Sequence, residues 1–373
     1  MDGHIKSDID FRTPLILSST STFRSIWRDY GSFSPHYLKR LTYILLGTIG
    51  TYPLQLIEKL RYDKPISEIE LTKPPVFIIG HWRSGTTLLH YMMARDPRFS
   101  IVTTQQGIFP AFYLSTRSIF RPLMPRVLPK DRMFDKMIMR SDLPIEEEVP
   151  LVSTSPASYY HHLNFPTRMH AFYQRFGNFS EATPAEIAQW RDDYLKVLKI
   201  ATFNGGQKPL LLKNPINTAR LPQLLSLFPE AKFIYLYRDP YRVFLSMRHF
   251  LRHMMSRSQL EDVSLSDIET NVLSIYHDMF SRYERDKAQI PDGNLFEVSF
   301  ERFTEDPVLI LEAMYDRFGW NFTPERRADY IDYWDNEVDF QQNEYSITVD
   351  DIVKINTHWS DAIDFYGYKT RHP

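Results

Sequence analysis

A short apolar run that ends in a glycine-bounded loop constrains the fold of this chain most strongly. Residues 76–79 are Val-Phe-Ile-Ile and lie between Pro75 and Gly80, which is typical of a buried parallel strand. Residues 80–87 read Gly-His-Trp-Arg-Ser-Gly-Thr-Thr, and residues 86–95 then carry leucines and methionines at helical spacing. This order predicts an anion cradle, because the backbone N–H groups of the turn and the positive end of the helix dipole point to one place.

The alternation of strand and helix recurs along the chain. Further strands are predicted at residues 210–212, 233–237 and 295–299, and helices at residues 218–228, 241–255 and 303–318. Such an alternation favours an α/β fold, with a P-loop-like, mostly parallel sheet flanked by helices.

The predicted elements suggest one domain over residues 1–373. A helical N-terminal extension (1–75) precedes the α/β core (76–320), and a C-terminal tail (321–373) is expected to be irregular from Trp334 onward. An insertion at residues 100–204, with a helix at 185–203, is expected to shape the substrate pocket.

Composition excludes several classes of protein. The formal net charge is −2, so no overall field attracts nucleic acid, and no nucleic-acid partner is expected. The chain has no cysteine, which excludes disulfides and thiolate ligands and suits a reducing, cytoplasmic compartment. Residues 41–57 are uncharged but contain Gly47, Gly50 and Pro53, and are shorter than the roughly 20 apolar residues of a membrane span. We predict that this segment packs against the protein, with a peripheral membrane contact as the alternative.

The side chains of the loop suit a phosphate group. Gly85 permits close approach of the backbone, Ser84, Thr86 and Thr87 offer hydroxyl groups, and Arg83 supplies a forked cation. The pattern GxxxxGK[ST] is not met, because Thr86 stands where that pattern requires Lys. A turn of this kind that serves packing alone is the alternative.

The run Arg-Ser-Gly-Thr-Thr-Leu-Leu after an apolar strand resembles the 5′-phosphosulfate loop of the sulfotransferases. The similarity is greatest to the broad group that contains many bacterial members and the tyrosylprotein enzymes. A second family signature is a strand that ends in Arg, here Arg238, with Ser246 eight residues later.

The resemblance implies the co-substrate and its site. The co-substrate would be 3′-phosphoadenosine-5′-phosphosulfate (PAPS), the product 3′,5′-bisphosphoadenosine (PAP), and no metal ion would be required. Arg238 and Ser246 would bind the 3′-phosphate. The phosphosulfate end would be bound by Arg83, Ser84, Gly85, Thr86 and Thr87.

A third segment, Leu-Lys-Asn-Pro at residues 212–215, resembles the Lys-containing segment of the family. In cytosolic members a catalytic His follows two residues after this Lys, whereas here the position is Pro215. Lys213, together with Arg83, is expected to stabilise charge on the leaving group. The general base must therefore come from elsewhere.

An acidic triplet is the first candidate for that base. The tyrosylprotein enzymes use a Glu after the first helix, but residues 102–106 contain no carboxylate. Glu146, Glu147 and Glu148 follow Pro144, and adjacent carboxylates raise one another's pKa. Glu147 ranks first among them. A solvated acidic helix start is the other interpretation, and three histidines of the insertion remain alternative bases: His161, His162 and His170.

The predicted function is in-line transfer of a sulfuryl group from PAPS to a hydroxyl or amine acceptor. Aromatic residues of the insertion, together with residues 41–57, suggest a small apolar or lipid-like acceptor: Tyr159, Tyr160, Phe165, Phe172, Tyr173 and Phe176. Two alternatives are an ATP-dependent small-molecule kinase and a nucleotide-binding protein without catalysis. The missing loop Lys and the Arg238–Ser246 pair argue against the kinase.

Overall fold

A computed structural model describes residues 13–129, 137–336 and 345–373. Three parts of the predicted segments lie outside the described residues. They are residues 1–12 of the extension, 130–136 of the insertion and 337–344 of the tail.

The described residues form a five-stranded parallel sheet in the order β2-β3-β1-β4-β5. The strands are β1 (Val76–Ile79), β2 (Ser100–Ile101), β3 (Leu210–Lys213), β4 (Lys232–Tyr237) and β5 (Leu295–Ser299). The prediction of a mostly parallel α/β sheet is confirmed. The two-residue strand β2 has no signal in the sequence, because it is too short to show alternation.

Helices cover both faces of the sheet, and alternate strand residues point into two separate cores. Phe77, Leu212 and Phe233 belong to one core, whereas Ile78 and Leu211 belong to the other. A sheet buried on both faces explains why its strands read as continuous apolar runs.

The helices fall into three groups along the chain. The N-terminal extension contains α1 (Thr20–Tyr30), α2 (Leu38–Gly50) and α3 (Tyr52–Ser67). The first phosphate-loop helix and the insertion contain α4 (Thr86–Met93), α5 (Thr104–Ile108), α6 (Tyr113–Phe120), α7 (Met124–Val127), α8 (Glu148–Thr154), α9 (Met169–Phe172) and α10 (Pro184–Gly205). The remainder contains α11 (Leu221–Leu227), α12 (Pro240–Ser258), α13 (Leu265–Asp286), α14 (Phe300–Glu305), α15 (Pro307–Arg317), α16 (Pro324–Asn336) and α17 (Val349–Phe365).

Two of the predicted helices have other bounds in the structure. The helix expected over residues 303–318 is split, because Pro307 begins α15 and the Asp306 side chain caps it by accepting from the Leu309 N–H at 3.0 Å. The helix expected from residue 218 begins at Leu221 instead, after a 3₁₀ turn at Pro215–Ala219.

The expectation of an irregular tail is wrong over α17. The Thr348 hydroxyl and the Asp351 carboxylate form a reciprocal capping box at its start. Ile355 and Trp359 are fully buried, and the Trp359 indole N–H donates to the Leu273 carbonyl at 2.9 Å. Polar residues between these anchors obscure the helical period in the sequence.

The N-terminal helices are anchored on their inner side. In α2 the buried residues are Arg40, Leu41, Ile44 and Thr48, and the Arg40 guanidinium donates to the Ser256 carbonyl at 2.9 Å. The uncharged segment 41–57 thus packs against the protein on one side, as predicted. Across the described ranges, we find no helix with the length and apolar character needed to cross a membrane.

The insertion is attached to the edge of the sheet by backbone contacts. Residue 103, just beyond β2, forms an antiparallel bridge with Pro144, and the Ile145 N–H donates to the Val102 carbonyl at 2.9 Å. The acidic triplet that follows Ile145 is therefore brought to the carboxyl end of the neighbouring strand β3.

A buried ion pair fixes this attachment. Glu148 and Arg220 are both fully buried, and Arg220 Nη1 lies 2.8 Å from Glu148 Oε2. The carboxylate also accepts from Ser158 Oγ (2.8 Å), the Tyr159 N–H (3.1 Å) and Asn214 Nδ2 (2.9 Å). Burial alone would raise the pKa of Glu148, but Arg220 and these donors hold it below the usual value.

We expect Glu148→Gln to lower the free energy of unfolding by about 3 kcal/mol, because Arg220 would remain buried without its counter-charge. Urea denaturation measures the loss. The matched control is Asp142→Asn, which removes a carboxylate from an exposed pair with Arg140 and should change stability by less than about 0.5 kcal/mol. Equal effects of the two substitutions would contradict the role given to the buried pair.

Candidate active site

The carboxyl ends of three adjacent strands meet at one place. Gly80 follows β1, Lys213 ends β3 and Arg238 follows β4, and β1 lies between the other two strands. Ligands of open parallel sheets bind in the crevice beyond such strand ends. The structure thus brings together the loop, the lysine and the arginine that the sequence singled out.

The loop after β1 has a backbone that requires glycine at its start. Gly80 has a φ of +134°, and a Cβ there would lie 2.1 Å from the Leu236 carbonyl oxygen. Its N–H donates to Thr218 Oγ1 at 2.8 Å. Gly85 at φ +87° ends the loop, and a Cβ there would strike the ring of Phe300 at 2.2 Å. The loop therefore lies close against β4 at Gly80 and against the start of α14 at Gly85, and neither place leaves room for a side chain.

The predicted loop donors differ in exposure. The side chains of Ser84 and Thr86 are buried, whereas Gly85 and Thr87 are partly exposed. The Ser84 N–H already donates to the His81 carbonyl at 3.2 Å. Thr86 can therefore contribute through its backbone N–H group, while the Thr87 hydroxyl can face a ligand directly. Arg83 has a φ of +71°, unusual for a residue with a side chain.

An arginine cluster lies on one side of the loop. Arg83 Nε donates to Ser246 Oγ at 2.9 Å, and Arg238 Nη1 donates to the Arg83 carbonyl at 3.1 Å. Arg238 stacks on Phe300 at 4.3 Å, and its buried Nε has no hydrogen-bond partner within the described residues. Burial lowers the pKa of Arg238 to about 10. The positive charge of Arg83 adds to this lowering, so an anion that reaches both guanidinium groups would be favourable.

A second cluster, around Lys213, lies on the other side. Lys213 Nζ donates to Glu146 Oε1 and lies 3.3 Å from Thr87 Oγ1. The Tyr160 hydroxyl donates to the other oxygen of Glu146 and accepts from the Trp82 indole N–H at 3.0 Å. The Lys213 side chain is 2% exposed and that of Glu146 is 16% exposed, so the carboxylate is the member that reaches the cleft.

Glu147, first among the sequence candidates, lies away from Lys213. Its Oε1 accepts from the Tyr194 hydroxyl at 2.9 Å and from Asn217 Nδ2 at 2.8 Å. Its other oxygen is buried and has no partner among the described residues. Burial raises the pKa of Glu147 to about 7, and the neighbouring carboxylates add to that rise.

The two buried candidate histidines bond to backbone carbonyls, and the His162 ring lies 6.1 Å from that of Tyr160. His161 Nε2 contacts the Ser155 carbonyl at 2.9 Å and His162 Nδ1 contacts the Tyr159 carbonyl at 2.8 Å. Burial lowers the pKa of each to about 4. His170 is exposed. Each buried ring is therefore neutral and engaged with backbone.

The aromatic residues that suggested an acceptor pocket are core residues. All six are buried in the main apolar core: Tyr159, Tyr160, Phe165, Phe172, Tyr173 and Phe176. Tyr160 differs because its hydroxyl contacts Glu146. The aromatic content of the insertion thus largely reflects packing.

A cavity of about 230 Å³ adjoins the arginine cluster. Arg242 and Arg371 line it together with Tyr345, whose hydroxyl lies 3.4 Å from Ser246 Oγ. Sequence reasoning did not single out Arg242, Arg371 or Tyr345. Arg242 lies on α12 one helical turn before Ser246, so its position had a signal that was overlooked.

The donor groups around the loop suit an anion with two separated phosphate-type groups. Arg83, Arg238 and Ser246 would hold one group, and Lys213, Thr87 and the loop N–H groups the other. Among the residues that the structure describes, no three His, Asp or Glu side chains are grouped as metal ligands.

Comparison with known proteins shows the family of this chain. The sulfotransferase family matches residues 74–324, and thus the whole sheet. Omega-hydroxy-beta-dihydromenaquinone-9 sulfotransferase Stf3 of Mycobacterium bovis is 28% identical over 324 residues, which cover 86% of this chain and 82% of that protein. The protein of the same name from Mycobacterium tuberculosis matches equally.

Solved structures show the same fold. Sulfotransferase STF1 of Mycobacterium tuberculosis superposes with a TM-score of 0.64 at 15% sequence identity. The superposition covers 91% of this chain and 90% of the STF1 chain. STF9 of Mycobacterium avium superposes with a TM-score of 0.64 at 16% sequence identity, and the superposition covers 96% of this chain and 98% of the STF9 chain. The kinase and the non-catalytic alternatives are not favoured. The chain therefore belongs to the sulfotransferase family and is a PAPS-dependent enzyme, as its loop and strand-end residues predicted.

Proposed function

We propose that PAPS binds across the loop with its two ends in the two clusters. Arg238, Ser246 and Arg83 would hold the 3′-phosphate, and Thr87, Lys213 and the N–H groups of residues 85–87 would hold the phosphosulfate. The observation that carries this proposal is that Arg238 donates to the Arg83 carbonyl and Arg83 donates to Ser246, while the buried Arg238 Nε has no partner among the described residues. A phosphate between the guanidinium groups would relieve their repulsion.

We infer that Glu146 is the general base. Bound PAPS supplies the activated sulfuryl group. Glu146 takes the acceptor's hydroxyl proton as the acceptor oxygen bonds to sulfur and the bond between sulfur and the phosphate oxygen breaks. Lys213, in contact with both Glu146 and Thr87, neutralises the charge left on that phosphate oxygen. The Tyr160 hydroxyl orients the carboxylate.

Geometry favours Glu146 over its neighbours. Glu148 is fully buried in its pair with Arg220, and Glu147 is fully buried between Tyr194 and Asn217. Glu146 is the partly exposed carboxylate of the three, and its partner Lys213 also contacts Thr87 of the phosphate loop. A base must lie within hydrogen-bond reach of the proton it takes, so the reachable carboxylate is preferred.

We propose a hydroxyl group on an apolar or lipid-like small molecule as the acceptor. Stf3 acts, by its name, on an omega-hydroxylated dihydromenaquinone, and it is 28% identical to this chain over most of both lengths. We propose the cytoplasm as the compartment, because a chain without cysteine forms no disulfide and needs no oxidising environment.

We expect Arg238→Ala to weaken PAP binding by about 10- to 100-fold, because a charge-assisted, forked contact to phosphate is lost. Isothermal titration with PAP in the absence of magnesium measures the change. Arg191→Ala, which removes an exposed arginine of α10, is the control and should leave the affinity unchanged. Tight binding of ATP with magnesium, in place of PAP, would contradict the assignment.

We expect Glu146→Gln to slow sulfuryl transfer by about 10²- to 10⁴-fold while PAP affinity is kept, because only proton removal is lost. The assay incubates protein and PAPS with lipid and polar metabolite extracts, and mass spectrometry follows products that gain a sulfate. Glu147→Gln is the matched control and should transfer at close to the original rate. A collapse of transfer in Glu147→Gln, with Glu146→Gln active, would reverse the assignment. A product confined to the polar extract would contradict the lipid-like acceptor.

Glu147 also makes a prediction about pH. Because its folded-state pKa is about 7 against 4.5 in an exposed chain, the folded state binds the extra proton, and stability falls as pH rises between these values. Glu147→Gln removes this dependence. From pH 5 to 8 the unchanged protein should lose on the order of 3 kcal/mol more unfolding free energy than the variant. Urea denaturation at both pH values tests this; parallel changes in the two proteins would refute it.

A further inference from the structure

The outer side of the N-terminal helices exposes a cluster of large apolar side chains. Eight of the eighteen exposed large hydrophobic residues in the described part of the chain lie on α2 and α3. Six aliphatic members define what we call the apolar face: Leu38, Leu46, Ile49, Leu56, Ile57 and Leu60. Leu46 and Ile49 are each 63% exposed and Leu60 is 79% exposed. Single exposed leucines are common on protein surfaces, whereas a group of them on two adjoining helices marks an interaction surface.

The apolar face is a continuous feature of the helices. At about 100° per residue, the three α2 members fall within about 80° of one another, and the three α3 members within about 100°. Helix α3 begins at Tyr52, directly after α2 ends at Gly50, so the two stripes adjoin. On the opposite side of α2, Arg40 and Ile44 are buried against the protein. The outward orientation is therefore held by the inner contacts.

Basic side chains border the apolar face. Lys39, Lys59, Arg61 and Lys64 are exposed. The two acidic residues of this stretch, Glu58 and Asp63, are engaged elsewhere.

The Glu58 carboxylate accepts from the N–H groups of Leu114 (2.9 Å) and Ser115 (2.7 Å). Asp63 pairs with Lys196 at 2.8 Å. Without the inward-facing Arg40, residues 38–64 contain four Lys or Arg and two Asp or Glu, a net charge of +2 in a chain whose total is −2. The surface is thus locally positive as well as apolar.

We propose that the apolar face docks onto an anionic lipid bilayer, with α2 and α3 lying along the interface. Apolar side chains enter the acyl boundary and the bordering lysines and Arg61 contact the lipid phosphates. Tyr43 and Tyr52, both exposed on the same helices, suit the headgroup region because each has an apolar ring and a polar end. A second copy of the chain fits less well, since a twofold contact would bring the two basic borders together.

The location of the face suits an acceptor drawn from the bilayer. Helix α3 packs on α6, α6 packs on α5, and α5 packs on α8, whose first residue is Glu148. The docked helices therefore adjoin the insertion that carries Glu146. The docking proposal itself rests on the exposed face and does not depend on which acceptor is used.

Co-sedimentation with vesicles tests the proposal. We expect the full chain to bind vesicles of phosphatidylcholine and phosphatidylglycerol, and to bind phosphatidylcholine alone more weakly. The variant Leu46→Glu/Ile49→Glu/Leu60→Glu should bind the anionic vesicles at least about tenfold less, because three charges would enter the apolar layer. The matched control, Leu309→Glu/Ile331→Glu/Val353→Glu, alters exposed apolar residues on other helices and should bind as the unchanged protein does.

Three results would overturn the proposal: no binding of the unchanged protein, equal binding of the two triple variants, or a dimer in light scattering that the first variant dissociates. Retained thermal stabilisation by PAP shows that each variant is folded. It also separates the two proposals, since PAP binding without vesicle binding leaves the sulfotransferase assignment standing and removes the membrane contact.

Discussion

Glu148 and Arg220 form an ion pair in the interior, where neither group reaches water. Removing two charges from water is costly, and the attraction between them compensates only when their remaining hydrogen-bonding groups are satisfied. Here Ser158, Asn214 and two backbone groups meet that condition: the Tyr159 N–H donates to the carboxylate, and the Phe176 carbonyl accepts from Arg220. The partners come from the insertion and from the segment after β3, so the pair joins the two. The position of Glu146, two residues before Glu148, follows from that junction.

The site concentrates positive charge in a chain that is nearly neutral overall. Lys213 and Arg238 end two strands that flank β1, so a parallel sheet with this strand order places them on either side of the phosphate loop. Both are largely shielded from solvent, and burial lowers the pKa of Arg238. Charges in such surroundings are poorly screened, so they attract an anion more strongly than surface charges would. A local field therefore achieves what the net charge of −2 cannot.

The sequence predicted the parts of the site that depend on local pattern. The strand β1, its loop and α4 follow one another, so the spacing from Gly80 to Thr87 is readable directly, and Arg238 with Ser246 is a second local pattern. Arg220 had no such signal, because its role depends on Glu148, 72 residues earlier. The sequence also contained no sign of which of the three glutamates faces Lys213. Their orientation depends on the contact of Ile145 with Val102, which joins segments that no periodicity relates.

The acidic triplet shows how one short stretch can serve three purposes. Glu148 begins α8 and the other two glutamates precede it, so the three neighbouring side chains point in different directions and meet three environments. Glu148 points to Arg220 and stays charged, whereas Glu147 points into an uncharged polar pocket where burial raises its pKa to about 7. Glu146 points to Lys213 and the cleft. Separation of carboxyl groups by environment is how enzymes divide acid, base and structural roles. Arg220 balances the charge of Glu148, and burial raises the pKa of Glu147 to about 7, so the net negative charge beside Lys213 is limited and that corner of the site stays favourable for the anionic co-substrate.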